Sequence, residues 1–92
     1  MVILCEVECI FYDGHSLKEK RSLLKSVIIN LQKNLNVAVA ELDYQDLWQR
    51  TKLGIVTIST DKVHAEKVIQ QALKLLDAYS ELERTTTHVE RL

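Results

Sequence analysis

The sequence predicts an α+β sandwich in which a four-stranded antiparallel sheet carries two helices on one face. Three observations lead there. Four short segments alternate or run apolar as strands do, while two longer ones repeat every three to four residues as helices do. They follow one another in the order β-α-β-β-α-β. With two Gly and no Pro in 92 residues, only short turns are available between them. The length allows one domain, residues 1–92. A chain this small buries only about 60 to 65% of its unfolded surface, so association with a second subunit is a standing expectation.

The first strand is expected over residues 2–12, with Ile3, Cys5, Val7, Cys9 and Phe11 on one face and Leu4, Glu6, Glu8, Ile10 and Tyr12 on the other. Asp13-Gly14-His15 reads as a turn. Ser16 followed by Glu19 fits a capping box, which starts the first helix at about Leu17. Its apolar stripe is Leu17, Leu24, Val27, Ile28, Leu31 and Leu35. Asn36 is a residue that can take the left-handed conformation ending a helix. Val37–Leu42 and Leu53–Ser59 are the next two strands, joined as a hairpin by the aperiodic stretch Asp43 to Lys52. Asp61, or Thr60 before it, caps a second helix running to about Tyr79, with Ala65, Val68, Ile69, Ala72, Leu73, Leu75, Leu76 and Tyr79 as its stripe. Leu82 to Val89 is threonine-rich and alternates weakly, as an exposed edge strand does.

Right-handed crossovers interleave the two βαβ halves into one sheet, which is the ferredoxin-like sandwich. One sheet face is then left without helices, and its residues decide between solvent, nucleic acid and a second subunit.

Composition excludes several function classes. No apolar run approaches the roughly 18 residues of a membrane span. The first residues carry Glu6 and Glu8 rather than a basic leader, so a cytoplasmic protein is expected. On an extended strand Cys5 and Cys9 lie about 13 Å apart, beyond the ~7 Å limit for a disulfide, and read as small core residues. His15, His64 and His88 are scattered, so no metal is assigned. Gly14 and Gly54 cannot build a glycine-rich phosphate loop, so no nucleotide cofactor is assigned either. The phosphate loop of acylphosphatases, which share this fold, has no counterpart in FYDGHSLKEKR. Asp13 as the metal ligand of a nuclease is one enzyme reading, but an Asp in such a turn is far more often turn chemistry. No catalytic residue is assigned.

Two surfaces remain. The first helix concentrates positive charge in a chain of net charge −1. Lys18, Arg21, Lys25 and Lys33 fall within about 120° of one face, a spacing suited to successive phosphates. The ordinary alternative for such a charge run is a solvated helix face. The hairpin loop holds Tyr44, Asp46, Trp48 and Arg50, aromatic and charged groups that suit a partner. Its ordinary alternative is Trp48 folded back on the sheet edge with Arg50 paired to Asp43 or Asp46. The open sheet face has Glu6 and Glu8 where RNA-recognition sheets carry aromatics, so base stacking there is not expected. A homodimer through that face, with Glu6 and Glu8 paired to Arg84, His88 or Arg91, is an alternative use of it.

SLKEKR at Ser16 to Arg21, NVAVAE at Asn36 to Glu41 and DLWQR-x-x-LG at Asp46 to Gly54 carry a resemblance over the whole chain to the YlxP-like family of small, uncharacterised bacterial cytosolic proteins. The resemblance implies a ferredoxin-like fold and a gene neighbourhood shared with a translation initiation factor and ribosome-binding factor A. The latter is a KH-type protein of different strand order, so none of its RNA-binding residues transfers. The expectation is therefore a non-enzymatic RNA- or ribosome-associated binding protein, with ribosomal RNA or the small ribosomal subunit as partner and neither DNA nor membrane. A homo-oligomeric protein-interaction or small-ligand domain is the alternative.

Overall fold

A computed structural model of the chain describes residues 1–12 and 16–92. The elements run β1 (Val2–Phe11), α1 (Leu17–Asn34), β2 (Ala38–Asp43), β3 (Arg50–Ile58), α2 (Lys62–Asp77) and β4 (Leu82–Arg91). The four strands form one sheet in the order β2-β3-β1-β4, with every neighbouring pair antiparallel. This is the ferredoxin-like βαββαβ sandwich the sequence predicts. The Asp13-Gly14-His15 turn lies outside the described residues.

Strict alternation explains β1. Ile3, Cys5, Val7, Cys9 and Phe11 are buried while the residues between them are half-exposed. Leu53 and Ile55 of β3 continue this inner face, and Leu24, Val27 and Leu31 of α1 and Ala65, Ile69, Ala72 and Leu76 of α2 close over it. α1 lies over β2, and α2 over β1, β3 and β4. Ser16 caps α1 by accepting the Glu19 N–H at 3.1 Å, and Asp61 caps α2 by accepting the Val63 N–H at 2.9 Å.

Three features differ from the sequence reading. The segment expected to be a loop from Asp43 to Lys52 is shorter: β3 begins at Arg50, whose partner across the sheet is Ile10 of β1. Thr51 obscured this, because it is a polar residue wholly buried where alternation calls for an apolar one. Asn36 does not take a left-handed conformation; α1 ends with Leu35 in extended geometry at φ −134°. Asn36 is held instead by β3, its carbonyl accepting the Thr57 hydroxyl at 2.7 Å. In β4 the register shifts opposite Glu8 and Cys9, so Arg84 before the shift and Arg91 after it both reach the helix side. There Arg84 makes a two-point contact with Asp77, and Arg91 pairs with Glu66 at 2.7 Å. They are not the partners of Glu6 and Glu8.

Among the described residues no helix is long and apolar enough to cross a membrane. Both cysteines are free and buried beneath α2. Burial pushes the Cys9 thiol up to about 11, partly offset by Arg84, and burial raises Cys5 in the same direction. A thiolate is the reactive form. Neither thiol is therefore expected to react with an aromatic disulfide reagent at pH 8 in the native protein, and both should react in denaturant. Release of chromophore from the native chain at the denatured rate would show that this core opens freely.

Candidate functional site

The buried stripe of α1 contains a lysine. Lys20, Leu24, Val27 and Leu31 share one face, and the Lys20 side chain is wholly removed from solvent. An ammonium there is tolerable only if its donors are satisfied. Lys20 Nζ donates to the backbone carbonyls of Tyr44 and Leu47 and lies 3.0 Å from Glu41 Oε2. The Thr51 hydroxyl donates to the same carboxylate oxygen at 2.6 Å. Glu41 and Thr51 are inward positions of β2 and β3, so helix and hairpin meet through a compact polar cluster. Among the described residues no buried side-chain polar atom lacks a partner.

This cluster shapes the hairpin loop, residues 44–49. Tyr44 is the one non-glycine residue at positive φ among the described residues, at 65°. Left-handed geometry costs such a residue about 1 kcal/mol or more. It is held by the Asp43 carboxylate, which accepts the Tyr44 N–H at 2.7 Å, and by its carbonyl, which accepts from both Lys20 and the Leu47 N–H. The Tyr44 ring is thereby turned beneath the guanidinium of Arg50, 4.3 Å from its centroid.

Arg50 belongs to β3 and faces the open side of the sheet, where it pairs with Glu8 at 2.8 Å rather than with Asp43 or Asp46. Glu8 also accepts from the Thr86 hydroxyl at 3.1 Å. The hydroxyls of Tyr44 and Thr86, with Arg50, hold the Glu8 carboxyl below its ordinary value of 4.5. Glu6 lies 3.9 Å from Lys52 and sits opposite His88 in the register. Beside these charged pairs the open face is apolar: Leu4, Ala38, Ala40, Leu42 and Val56 line a shallow hollow of about 180 Å³. Leu42 lies flat on β3 because Gly54 has no side chain; a Cβ there would come 2.8 Å from Leu42 Cδ1.

Of the sequence-predicted partner loop, the structure brings Tyr44 and Arg50 together, leaves Asp46 exposed and half-buries Trp48. The predicted phosphate contacts Lys18, Arg21, Lys25 and Lys33 are all exposed on α1, and among the described residues none forms an ion pair. Every cation of the sheet has an acidic partner: Arg50, Lys52, Arg84 and Arg91 are all taken up. Lys20 is the residue sequence reasoning missed. Its signal was the spacing to Leu24, Val27 and Leu31, with Glu41 and Thr51 at inward strand positions.

The family model described as "Protein of unknown function (DUF503)" matches residues 2–89. A curated relative from Bacillus subtilis (strain 168), described as "Uncharacterized protein YlxP", is 46% identical over 90 residues, which is 98% of each chain.

Two outcomes follow from the polar cluster and the Glu8 network. Lys20→Met strands two carbonyls and a carboxylate, so a loss of roughly 3 kcal/mol is expected in urea unfolding, with part recovered when Glu41→Gln is added. A Lys20→Met loss under 1 kcal/mol would mean the cluster is incidental. The lowered pKa of Glu8 favours its ionised form in the fold. Its contribution is thus present above pH 4.5 and lost as pH falls through the depressed value. Glu8→Gln should be less stable at neutral pH and show a flatter decline below about pH 4.5, measured by chemical denaturation across that range.

Proposed function

The chain belongs to the YlxP-like DUF503 family, and from that premise we propose that it is a non-enzymatic, cytoplasmic RNA- or ribosome-associated binding protein acting through the outer face of α1. The observation that carries this reading is the division of charge. Sheet cations are neutralised in place, whereas Lys18, Arg21, Lys25 and Lys33 are left exposed along one helix and, among the described residues, unpaired. Unpaired cations keep their full attraction for phosphate, since no intramolecular partner must first be displaced.

The Lys20 contacts add a second support. They draw the hairpin loop against the N-terminal half of α1, so Trp48 belongs to the same end of the molecule as Lys18 and Arg21. Trp48 supplies apolar contact area there for a base or a ribosomal protein. Arg50, tied to Glu8 and stacked on Tyr44, serves to shape the loop. The gene neighbourhood implied by the family resemblance points toward the small ribosomal subunit.

The apolar half of the open sheet face favours one other reading, a homodimer through that face. Leu42 is 45% and Ile58 63% exposed there. Both readings meet in one experiment, co-sedimentation with small ribosomal subunits over a salt series, with light scattering on the same preparation. Saturable binding that falls steeply with salt, and is lost in Lys25→Glu/Lys33→Glu, is the expected result. Binding unchanged by that charge reversal would overturn the α1 assignment. A dimer that does not sediment with the particles would favour the sheet-face reading.

A further inference from the structure

We propose that the nucleic acid taken by the helix layer is double-stranded RNA, an inference that rests on the RNA-binding reading above and narrows its substrate class. The cations form two rows on one layer. The α1 row, Lys18 to Lys33, spans about 22 Å of rigid helix at 1.5 Å per residue. α2 adds a shorter row, Lys67 and Lys74 on its outer face, with Lys62 about 120° further round the helix; all three are exposed and likewise without an ion-pair partner among the described residues. The acids Glu66 and Asp77 of α2 do not offset them, because Arg91 and Arg84 of β4 already hold both. Two rigid rows of positive charge match a ligand whose phosphates are themselves held in rigid rows.

Single strands are held differently, by stacking bases on aromatic rings. No Phe, Tyr or Trp side chain stands in either row; the one exposed ring on the helices among the described residues is the His64 imidazole of α2. Phe11 is core, Tyr12 hydrogen-bonds Glu83 at the end of β1, and Tyr44 lies beneath Arg50. Tyr79 accepts a hydrogen bond from Asn30 in the seam between the helices, and Trp48, half-buried in the loop near the start of α1, is a single ring rather than the succession of rings that a single strand stacks on. The open sheet face presents Glu6 and Glu8 and is no stacking platform.

Between its cations α1 carries two serines and one exposed apolar residue, Ile29, with Glu19 beside Lys18. Ser22 and Ser26 are exposed and line two hollows on that face, one shared with Lys25 and Lys33 and the other with Lys18. Duplex RNA is recognised by shape, phosphates and the 2′-hydroxyls displayed across its wide minor groove. Serine both donates to and accepts from a 2′-hydroxyl, a group that duplex DNA lacks. The layer therefore suits A-form RNA over both its single strand and its DNA counterpart.

Fluorescence anisotropy with the intact chain tests this, using a labelled RNA duplex of about 20 base pairs, the DNA duplex of the same sequence, and one RNA strand alone. The RNA duplex is expected to bind at least about tenfold more tightly than either, with a log–log salt slope steeper than the roughly −3.6 of the four α1 phosphates alone, since the α2 row adds to it. The double variant Ser22→Ala/Ser26→Ala, which removes only exposed hydroxyls, should shrink the RNA-over-DNA preference while leaving the salt slope unchanged. Single-strand binding as tight as duplex binding would overturn the duplex assignment and leave RNA binding standing. Equal affinity for the DNA duplex would overturn the hydroxyl readout. Binding to none of the three by a protein that still sediments with ribosomal particles would overturn this inference and assign the contact to ribosomal protein. Failure in both assays would bring down the wider reading too.

Discussion

A lysine on the buried stripe of a helix is tolerable only where acceptors converge on it, and in this fold that requirement fixes how the helix layer meets the hairpin. Lys20 takes two backbone carbonyls from the 44–49 loop and a carboxylate from β2, and the carboxylate is further bound by Thr51 of β3. An apolar residue of the same size would pack there without demanding any geometry. The ammonium demands it of three elements at once. A one-residue slip of β2 against β3 would turn Glu41 to the open face and leave Lys20 unpaired, so the cluster opposes alternative registers at the edge of the sheet where pairing is weakest.

The same principle of local satisfaction governs the rest of the charge. On the open face Glu8 and Arg50, and Glu6 and Lys52, are cross-strand neighbours that neutralise one another. At the far edge Arg84 and Arg91 reach around to acids on α2. Exposed pairs of this kind add little stability, about 0 to 1 kcal/mol each. Their larger consequence is for the field outside the molecule. They remove the sheet's cations from it and leave those of the helices, so a chain of net charge −1 still presents a positive layer.

How legible this was in the sequence depended on whether polarity tracked exposure. β1 could be read residue by residue because its alternation is unbroken, and α2 because every buried position is apolar. The strand order followed from chirality alone. Reading failed where a polar residue is buried and paired: Thr51 hid the start of β3, and Lys20 was given no place on the buried stripe of α1. Asn36 was mistaken for a left-handed stop because its local preference yields here to tertiary contacts, its carbonyl taken by Thr57. The exposed cations of α1 were located correctly by helical geometry. That they have no ion-pair partner among the described residues, while those of the sheet do, depends on side chains distant in sequence and required the fold.

The Lys20 cluster also governs how variants of this surface are to be interpreted. Lys20 is adjacent in sequence to Arg21 and carries the same charge, yet its ammonium faces the interior and cannot reach a phosphate. A Lys20 variant that loses binding would do so by releasing the loop that carries Trp48 and by destabilising the chain. Such an effect acts on every ligand alike and leaves the salt slope intact. On the RNA-binding reading proposed above, loss of Arg21 or Lys25 would remove one neutralised phosphate and lower the slope by about one unit, with stability unchanged. Slope and stability together therefore separate residues that touch the ligand from the one residue that places them.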